Sequence, residues 1–351
     1  MKRKITTVAL SGLVALNSIP TLSTVYAVEN SKSNSSIENQ DTKSTKVIYL
    51  EAGEGAENSG DGTEKSPYKN IRTALSNIKD GETLKLVGDV VYTKYETHTD
   101  KSALPLFINK NITIEGIDSS SSLSLRSPIQ LGANVTFKNM RLEMPPQVSL
   151  EGGTGGEDSG LLGEIIPRAA TIFVAGHQLT LDNIDTRLGT NSDQYDERPY
   201  ISGGAFKNQN NDKIGSNAII NIINPNSETR ISGIYAGDYW DDRTMDVEIN
   251  LDGKLVDTTL YTGGVENTLD GDVVVNISGK SGSKKSNITN FDKTNHNGKL
   301  YVNLVDGYDT TALNLEDIDE LTLEDGARVA PYGKNVDLKF DVGNVFIKSG
   351  S

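Results

Sequence analysis

A short strand-like pattern recurs along this chain at nearly constant intervals, and this recurrence restricts the possible folds more than any other feature. Three segments agree position by position: NITIEGI from Asn111, NVTFKNM from Asn134 and QLTLDNI from Gln178. Their starts are 23 and 44 residues apart, and 44 is twice 22. We therefore expect residues 145–168 to occupy the place of one intervening turn, extended by a Gly-rich excursion.

A second series of repeats follows in the C-terminal half. The segments GIYAGD and TLYTGG place Tyr235 and Tyr261 26 residues apart. Asparagines recur at steps of 29, 26 and 27 residues in the segments IINII, VEINL, VVVNI and YVNLV (Asn221, Asn250, Asn276 and Asn303). Short strands with a period of this length are typical of a β-solenoid, in which each turn contributes two or three strands.

These repeats predict an all-β protein, a parallel β-helix (β-solenoid) that extends over residues 46–351. Successive turns would stack about 4.8 Å apart as parallel strands, with alternate apolar residues pointing inward. Asparagines in register would form a ladder, each amide bonding to the backbone of the next turn. The alternative is an antiparallel sandwich, which predicts a hairpin turn about every 8–12 residues.

A single amphipathic helix is predicted near the start of the chain, over about residues 67–80. Ser66 is the expected N-cap, Pro67 is the expected first helical residue, and Gly81 is expected to end the helix. We expect this helix to cap the end of the solenoid, where backbone groups and the apolar interior would otherwise meet water. Its apolar residues form one stripe (Ile71, Ala74, Leu75 and Ile78).

The first residues indicate export. A basic segment, MKRK, precedes an apolar stretch, and Val25–Ala27 (VYA) has the small residues that a signal peptidase recognises. Residues 1–27 are therefore predicted to be a signal peptide, with a membrane anchor as the alternative, and residues 28–45 a disordered polar leader. The predicted localisation is secreted or extracellular, free or associated with the cell surface. No membrane span is expected after cleavage, because no other segment has the roughly 18–20 apolar residues required.

The composition excludes several classes of function. There are 48 Asp and Glu against 34 Lys and Arg, a net charge of −14, which argues against nucleic acid and anionic membranes as partners. The absence of cysteine excludes disulfides, thiol catalysis and cysteine metal sites. The three histidines, His98, His177 and His296, are isolated in sequence, which disfavours a zinc site or a Ser/His triad.

The opening helix and the first repeats together resemble a known group of proteins. The segment GDGTEKSPYKNIRTALSNIKDGETLKL, followed by NITIEGI-type turns, resembles exported right-handed parallel β-helix proteins of the pectate-lyase-like superfold. The GIYAGD and TLYTGG turns are similar to repeats in bacterial cell-surface β-helix proteins. The resemblance covers roughly residues 46–345 and implies a fold, not a reaction. Since no signature of a lyase or hydrolase family matches, it implies no catalytic residue.

The densest group of polar and aromatic residues lies at 235–246. Its aromatic rings would stack on sugars, while its carboxylates and its arginine would fix sugar hydroxyls or acidic groups. Three of its acids, Asp238, Asp241 and Asp242, are also candidate ligands for Ca²⁺, which is coordinated by about six to eight oxygen atoms. The alternative is a solvated turn anchored by a partly buried tryptophan. The predicted ligand-binding residues here are Tyr235, Asp238, Tyr239, Trp240, Asp241, Asp242 and Arg243.

A second candidate group lies at 192–200, within the polar stretch 188–214, and contributes Tyr195, Asp196 and Arg198. Loops held on a rigid scaffold commonly carry binding sites, so the excursions at 145–168 and 188–214 would build the binding face with the first group. Paired carboxylates would also suit glycoside hydrolysis if they lay about 5–10 Å apart. The alternative is a charged surface loop without a role.

These features favour a non-catalytic binding or adhesion module, secreted or on the cell surface, that recognises carbohydrate or a host or matrix surface. Its expected partner is an extracellular glycan or a surface protein. One alternative is a Ca²⁺-dependent polysaccharide lyase or glycoside hydrolase acting on an acidic glycan, and another is a structural stalk. Because the final segment DVGNVFIKSGS has no evident cap, further C-terminal domains or an oligomeric partner are also expected.

Overall fold

The computed structural model contains one α-helix among its described residues, and the remaining regular structure is β-strand. No described helix is long and apolar enough to cross a membrane. The predicted signal peptide and leader lie outside the described residues. These are 46–51, 60–92, 105–125, 128–144, 171–186, 199–206, 215–226, 229–238, 241–252, 255, 258–265, 267–279, 288–310, 315–329 and 340–348.

The larger sheet has thirteen strands. Eleven of them lie side by side in this order: β1 (Val47–Glu51), β2 (Thr83–Val87), β5 (Ile112–Gly116), β8 (Val135–Glu143), β10 (Gln178–Asp185), β12 (Asn217–Ile223), β14 (Asp246–Asp252), β16 (Val273–Ser278), β18 (Leu300–Val305), β20 (Leu315–Leu323) and β22 (Phe340–Ile347). The other two, β3 (Asp89–Tyr92) and β6 (Ser122–Leu125), pair with each other, and β6 also pairs with the second half of β8.

The second sheet has seven strands. In spatial order they are β4 (Leu106–Ile108), β7 (Ile129–Leu131), β9 (Thr171–Phe173), β11 (Tyr200–Ser202), β13 (Gly233–Tyr235), β15 (Thr258–Tyr261) and β17 (Ile288–Asp292). A two-stranded sheet pairs β19 (Asp309–Thr310) with β21 (Arg328–Val329).

All pairs between these strands are parallel, and from β7 to β18 the chain alternates between the second sheet and the larger one. Parallel neighbours require a crossover between them, which the opposite sheet supplies here. The predicted all-β class with mostly parallel strands in stacked sheets is confirmed, and it is compatible with a β-solenoid. The antiparallel sandwich is excluded for the described strands, because it requires hairpins.

The sequence repeats coincide with strands that pair in register. In the first series Ile112 pairs with Val135, and Val135 pairs with Leu179. Because β8 and β10 are direct neighbours, residues 145–168 do not supply an intervening strand of the larger sheet, and that expectation is wrong. The 44-residue step is one turn enlarged by an insertion, which itself lies outside the described residues.

Apolar side chains on the inner face of the larger sheet form continuous columns through the stack. One column passes through Val302 and Leu321, which are 0% and 1% exposed, and ends at Val345, which is 45% exposed. A second column ends at Ile347, which is 67% exposed. The interior columns are therefore covered along the stack and open at β22. The second column consists of Ile48, Leu84, Ile114, Phe137, Leu181, Ile222, Leu251, Ile277, Leu304, Leu323 and Ile347.

The recurring asparagines form a side-chain ladder on the outer face of the larger sheet. The Nδ2 of Asn250 donates to Oδ1 of Asn221 at 2.8 Å, and the Nδ2 of Asn276 donates to Oδ1 of Asn250 at 2.7 Å. Asn303 continues the ladder by donating to Asn276 at 2.8 Å. The ladder was predicted, but its amides bond to one another, whereas the prediction had each amide bond to the backbone.

The predicted bonding of amides to backbone occurs instead in the first series of repeats. The backbone N–H of Asn134 donates to Oδ1 of Asn111 at 3.1 Å, and the backbone N–H of Gln178 donates to Oδ1 of Asn134 at 3.0 Å. These amides stand at the start of each strand, where a side-chain oxygen can satisfy a backbone donor of the next turn.

The N-terminal helix, α1, is present but shorter than predicted, spanning Ile71–Asn77 instead of residues 67–80. Its N-cap is Asn70 and not Ser66, because the Asn70 side chain accepts hydrogen bonds from the backbone N–H groups of Arg72 and Thr73. Such a cap satisfies donors that the first helical turn leaves free. Gly81 lies beyond the helix, in the turn before β2, where its φ is 80°.

The apolar stripe of α1 packs into the core beside β1, and its members Ile71, Ala74, Leu75 and Ile78 are buried. The outer edge of β1 is also covered, because the N–H of Tyr49 donates to the carbonyl of Gly62 and the N–H of Glu51 donates to the carbonyl of Tyr68, each at 2.9 Å. This end of the stack is thus closed by the helix and by residues 62–68.

Candidate functional site

One outward-facing column on the second sheet is rich in aromatic residues. Strand register places Phe107, Gln130, Phe173, Ser202, Tyr235 and Tyr261 in line from β4 to β15. The residues between them in each strand, such as Ile201 and Leu260, point into the core. The period of two along a strand therefore sorts the aromatic groups onto the outer face.

The middle of this column is covered by the segment that follows β11. The Phe206 ring meets the Phe173 ring edge-on, with centroids 5.6 Å apart, and the Phe206 N–H donates to Oε1 of Gln130 at 2.8 Å. Ser202 is also buried, and its hydroxyl donates to the carbonyl of Gly237 at 2.9 Å. The members of the column that remain half-exposed are Phe107 at one end and the pair Tyr235 and Tyr261 at the other.

These two tyrosines and Tyr200 form what we call the tyrosine face. The rings of Tyr235 and Tyr261 are stacked, with centroids 4.3 Å apart and planes within 8°. Tyr200 lies next to Tyr235 at 6.3 Å with a tilt of 30°. Gly233 leaves room for them, because a Cβ there would lie 3.1 Å from the ring of Tyr261. The three phenol groups thus lie side by side on one sheet surface.

The turn after β13 contains the predicted cluster at 235–246, and the structure divides its residues between the interior and the surface. The Asp238 side chain is fully buried, and its carboxylate accepts hydrogen bonds from Nε of Arg243 at 2.8 Å and from the N–H of Ala205 at 3.1 Å. A Cβ on Gly204 would lie 2.6 Å from Asp238, so this close approach requires glycine. Asp238 therefore fixes the turn, a structural role that the sequence prediction did not include.

The other acids of the cluster face solvent. Asp241 is exposed and lies 3.4 Å from Nη2 of Arg243, and the Asp242 carboxylate accepts a hydrogen bond from the N–H of Thr268 at 2.8 Å. Among the described residues no group of three or more His, Asp or Glu side chains is placed to hold a metal ion. A calcium site at Asp238, Asp241 and Asp242 stays a prediction.

The remaining predicted site residues lie outside the described residues. These are Tyr239 and Trp240 of the first group and Tyr195, Asp196 and Arg198 of the second. Most of the 188–214 stretch lies outside as well, although its described part, residues 199–206, carries Tyr200 and Phe206 to the second sheet. Tyr200 and Tyr261 were not among the predicted site residues, although the 26-residue spacing between Tyr235 and Tyr261 was visible in the sequence.

A charged group that the sequence did not reveal lies on β3, β8 and β10. Nε of Arg141 is 2.8 Å from Oε1 of Glu143, as an ion pair without hydrogen-bond geometry, and Nη2 of Arg141 is 3.7 Å from Asp89. Asp185 pairs with Arg141 in strand register. Burial raises the pKa of the Glu143 carboxyl above its usual value, Arg141 opposes this shift, and the negative charges of Asp89 and Asp185 add to it.

A buried histidine stands two turns beyond Arg243 in the same stack, since Arg243 bridges to Leu269 and Leu269 bridges to His296. Nε2 of His296 is 2.8 Å from the carbonyl of Gly271, so it must carry the proton, and Nδ1 is 3.2 Å from the Thr262 hydroxyl. Burial lowers the pKa of His296, against the opposing effect of the Gly271 carbonyl. The folded protein therefore favours the neutral ring more strongly than the unfolded chain does.

His296 should make stability fall with acidification. Because its pKa is lower in the folded state than the ordinary value of about 6.5, the unfolded state binds the proton first. Its contribution is complete above about pH 6.5 and is lost as the pH falls toward the folded pKa. On going from pH 7.5 to 5.5, the melting temperature of the native protein should fall by a few °C more, roughly, than that of His296→Gln. If the melting temperatures of the native protein and of His296→Gln fell equally, this prediction would be wrong.

No protein-family model, curated protein or solved structure matches this chain significantly.

Proposed function

We propose that the protein is a secreted or cell-surface binding module without catalytic activity, and that it recognises carbohydrate on a glycan or on a host or matrix surface. The tyrosine face, with the neighbouring turn at 235–246, would be its binding surface. We also propose that the stack is a right-handed parallel β-helix, since parallel crossover connections are right-handed in about 98% of cases.

The observation that carries this proposal is the side-by-side placement of Tyr200, Tyr235 and Tyr261 on the outer face of the second sheet. Tyrosine offers an apolar ring and a polar hydroxyl with few rotatable bonds, so it binds mixed surfaces at low entropic cost. Sugars have such mixed surfaces. The exposed Asp241 and the guanidinium of Arg243 lie in the turn that follows Tyr235 and would add hydrogen bonds to hydroxyls.

A polysaccharide lyase or hydrolase is the second candidate, favoured by the group around Glu143. A carboxyl with a raised pKa next to an arginine and other carboxylates suits a general acid. The acidic net charge of the chain would repel an acidic glycan, which weighs against an enzyme that acts on such a polymer. The binding module is therefore the leading proposal.

The tyrosine face is tested by replacing two of its rings. We expect Tyr235→Ala with Tyr261→Ala to weaken retention on immobilised polysaccharides at least about tenfold, since each lost interface tyrosine commonly costs more than 1 kcal/mol. The matched control is Tyr301→Ala, a half-buried tyrosine on the outer face of the larger sheet. Polygalacturonate, alginate, glycosaminoglycans and neutral plant glucans would be compared in one retention assay, with and without Ca²⁺.

The two candidates give different results on the same polymers. Retention that depends on Tyr235 and Tyr261, without chain cleavage, would support the binding module. Cleavage, detected as new reducing ends or as ultraviolet absorbance from new double bonds, would favour the enzyme and make Glu143 the first residue to replace. Equal retention of the double variant and the Tyr301→Ala control would remove the tyrosine face from the proposal.

A further inference from the structure

A shallow groove of about 210 Å³ crosses three turns on the outer face of the larger sheet, on a different sheet from the tyrosine face. Its polar lining comes from equivalent positions of β5, β8 and β10 and the residues just before them. These strands are direct neighbours, so the groove repeats the same chemistry from turn to turn. The lining side chains with polar groups are Asn111, Thr113, Asn134, Thr136 and Gln178.

Several polar groups in this groove are left available. The hydroxyls of Thr113 and Thr136 and the Nδ2 of Asn134 make no hydrogen bond to another described residue. Farther along the same face, Asn250 and Asn276 stand in the continuation of the threonine column, and their amides bond to one another. The groove therefore lies on the part of this column before the asparagine ladder, where Thr113 and Thr136 have free hydroxyls.

The groove is also electrically neutral. None of the lining side chains is charged. The neighbouring outward column carries alternating charges that pair within the column, with Lys85 2.7 Å from Glu115 and Lys138 3.5 Å from Asp182. An anionic ligand would find no unpaired cation at these pairs, and an apolar ligand would cover the free hydroxyls and leave them without partners, which is costly.

We propose that this groove is a second binding site and that it takes a neutral, hydroxyl-rich ligand, a short segment of an uncharged glycan. Sugar hydroxyls both donate and accept, as do threonine hydroxyls, and amide nitrogens donate to sugar oxygens. The two free threonine hydroxyls lie one turn apart, at the strand spacing of about 4.8 Å, so one glycan segment contacts both. The site is independent of the tyrosine face and of the function proposed for it.

The test uses calorimetric titration of the purified full chain with tetrasaccharides of β-1,4-linked glucose, mannose and N-acetylglucosamine, and with a galacturonate oligomer as the charged comparison. We expect at least one neutral tetrasaccharide to bind. The double variant Thr113→Val with Thr136→Val should weaken it at least tenfold, about the effect of losing two hydrogen bonds. Valine preserves the shape and suits a strand, and the melting temperature checks that the variant is folded.

Two controls isolate the groove. Thr322→Val changes the threonine on β20 that stands in the same column beyond the asparagine ladder, and it should leave the affinity unchanged. Tyr301→Ala, on β18 of the larger sheet and outside the groove lining, should also leave this binding unchanged. The proposal is overturned if no neutral tetrasaccharide binds, if only the galacturonate oligomer binds, or if Thr322→Val weakens binding as much as the double variant.

Discussion

Val302→Lys is expected to destabilise the stack strongly around β18. Val302 is 0% exposed in an interior column, between Val275 on one side and Leu321 on the other. A lysine there would place an ammonium group among apolar side chains with no carboxylate partner in the column, and burial of an unpaired charge costs several kcal/mol. We expect a loss of more than about 4 kcal/mol in the free energy of unfolding, measured by urea denaturation followed by circular dichroism.

The same column offers its own control at the last strand. Val345→Lys makes the identical change at a residue that is 45% exposed, so the ammonium group can reach water along its flexible stem. We expect a change within about 0.5 kcal/mol, as for ordinary surface substitutions. If Val345→Lys were as damaging as Val302→Lys, the column would have to be covered at β22 by another element.

Asp238→Ala is expected to cost about 3–5 kcal/mol, the range for removing one partner of a buried ion pair. The substitution leaves the guanidinium of Arg243, whose side chain is 19% exposed, and the N–H of Ala205 without their carboxylate. Asp238→Asn should cost less, since its amide oxygen can still accept the Ala205 hydrogen bond. Both effects would be measured as shifts in the urea midpoint.

Asp241→Ala is the matched control in the same turn. The Asp241 side chain is 60% exposed and lies 3.4 Å from Nη2 of Arg243. Exposed ion pairs contribute between 0 and about 1 kcal/mol. A loss for Asp241→Ala as large as that for Asp238→Ala would contradict the division of this turn into a buried and an exposed acid.

Local sequence patterns predicted the parts of the fold that repeat. The near-constant steps between Asn250, Asn276 and Asn303 predicted strands in register, because each asparagine holds the same place in the apolar alternation of its strand and so falls on the same face. The apolar alternation predicted the inner columns for the same reason. The inserted segment at 145–168 could not be placed this way, since a 44-residue step fits two ordinary turns or one enlarged turn equally well.

Features that depend on contacts between distant residues were not predictable. The choice of Asn70 over Ser66 as N-cap depends on how residues 62–68 pair with β1. The burial of Asp238 depends on Gly204 lying beneath it, one turn away. Asp89 and Asp185 join Arg141 and Glu143 only through strand pairing, so no local sequence motif predicts the whole group. Tyr200 likewise joins the tyrosine face only through strand pairing in the second sheet.

Because the two ends of the stack differ, a pulling force should unfold it from one end. The helix and residues 62–68 close the end at β1, whereas β22 leaves Val345 and Ile347 partly in water. Since each turn contacts chiefly its neighbours, the stability of such a stack is approximately the sum of its successive interfaces. A pulling force would therefore detach turns one after another, from β22 toward β1. Each detachment would expose the equally apolar side chains of the next turn to water.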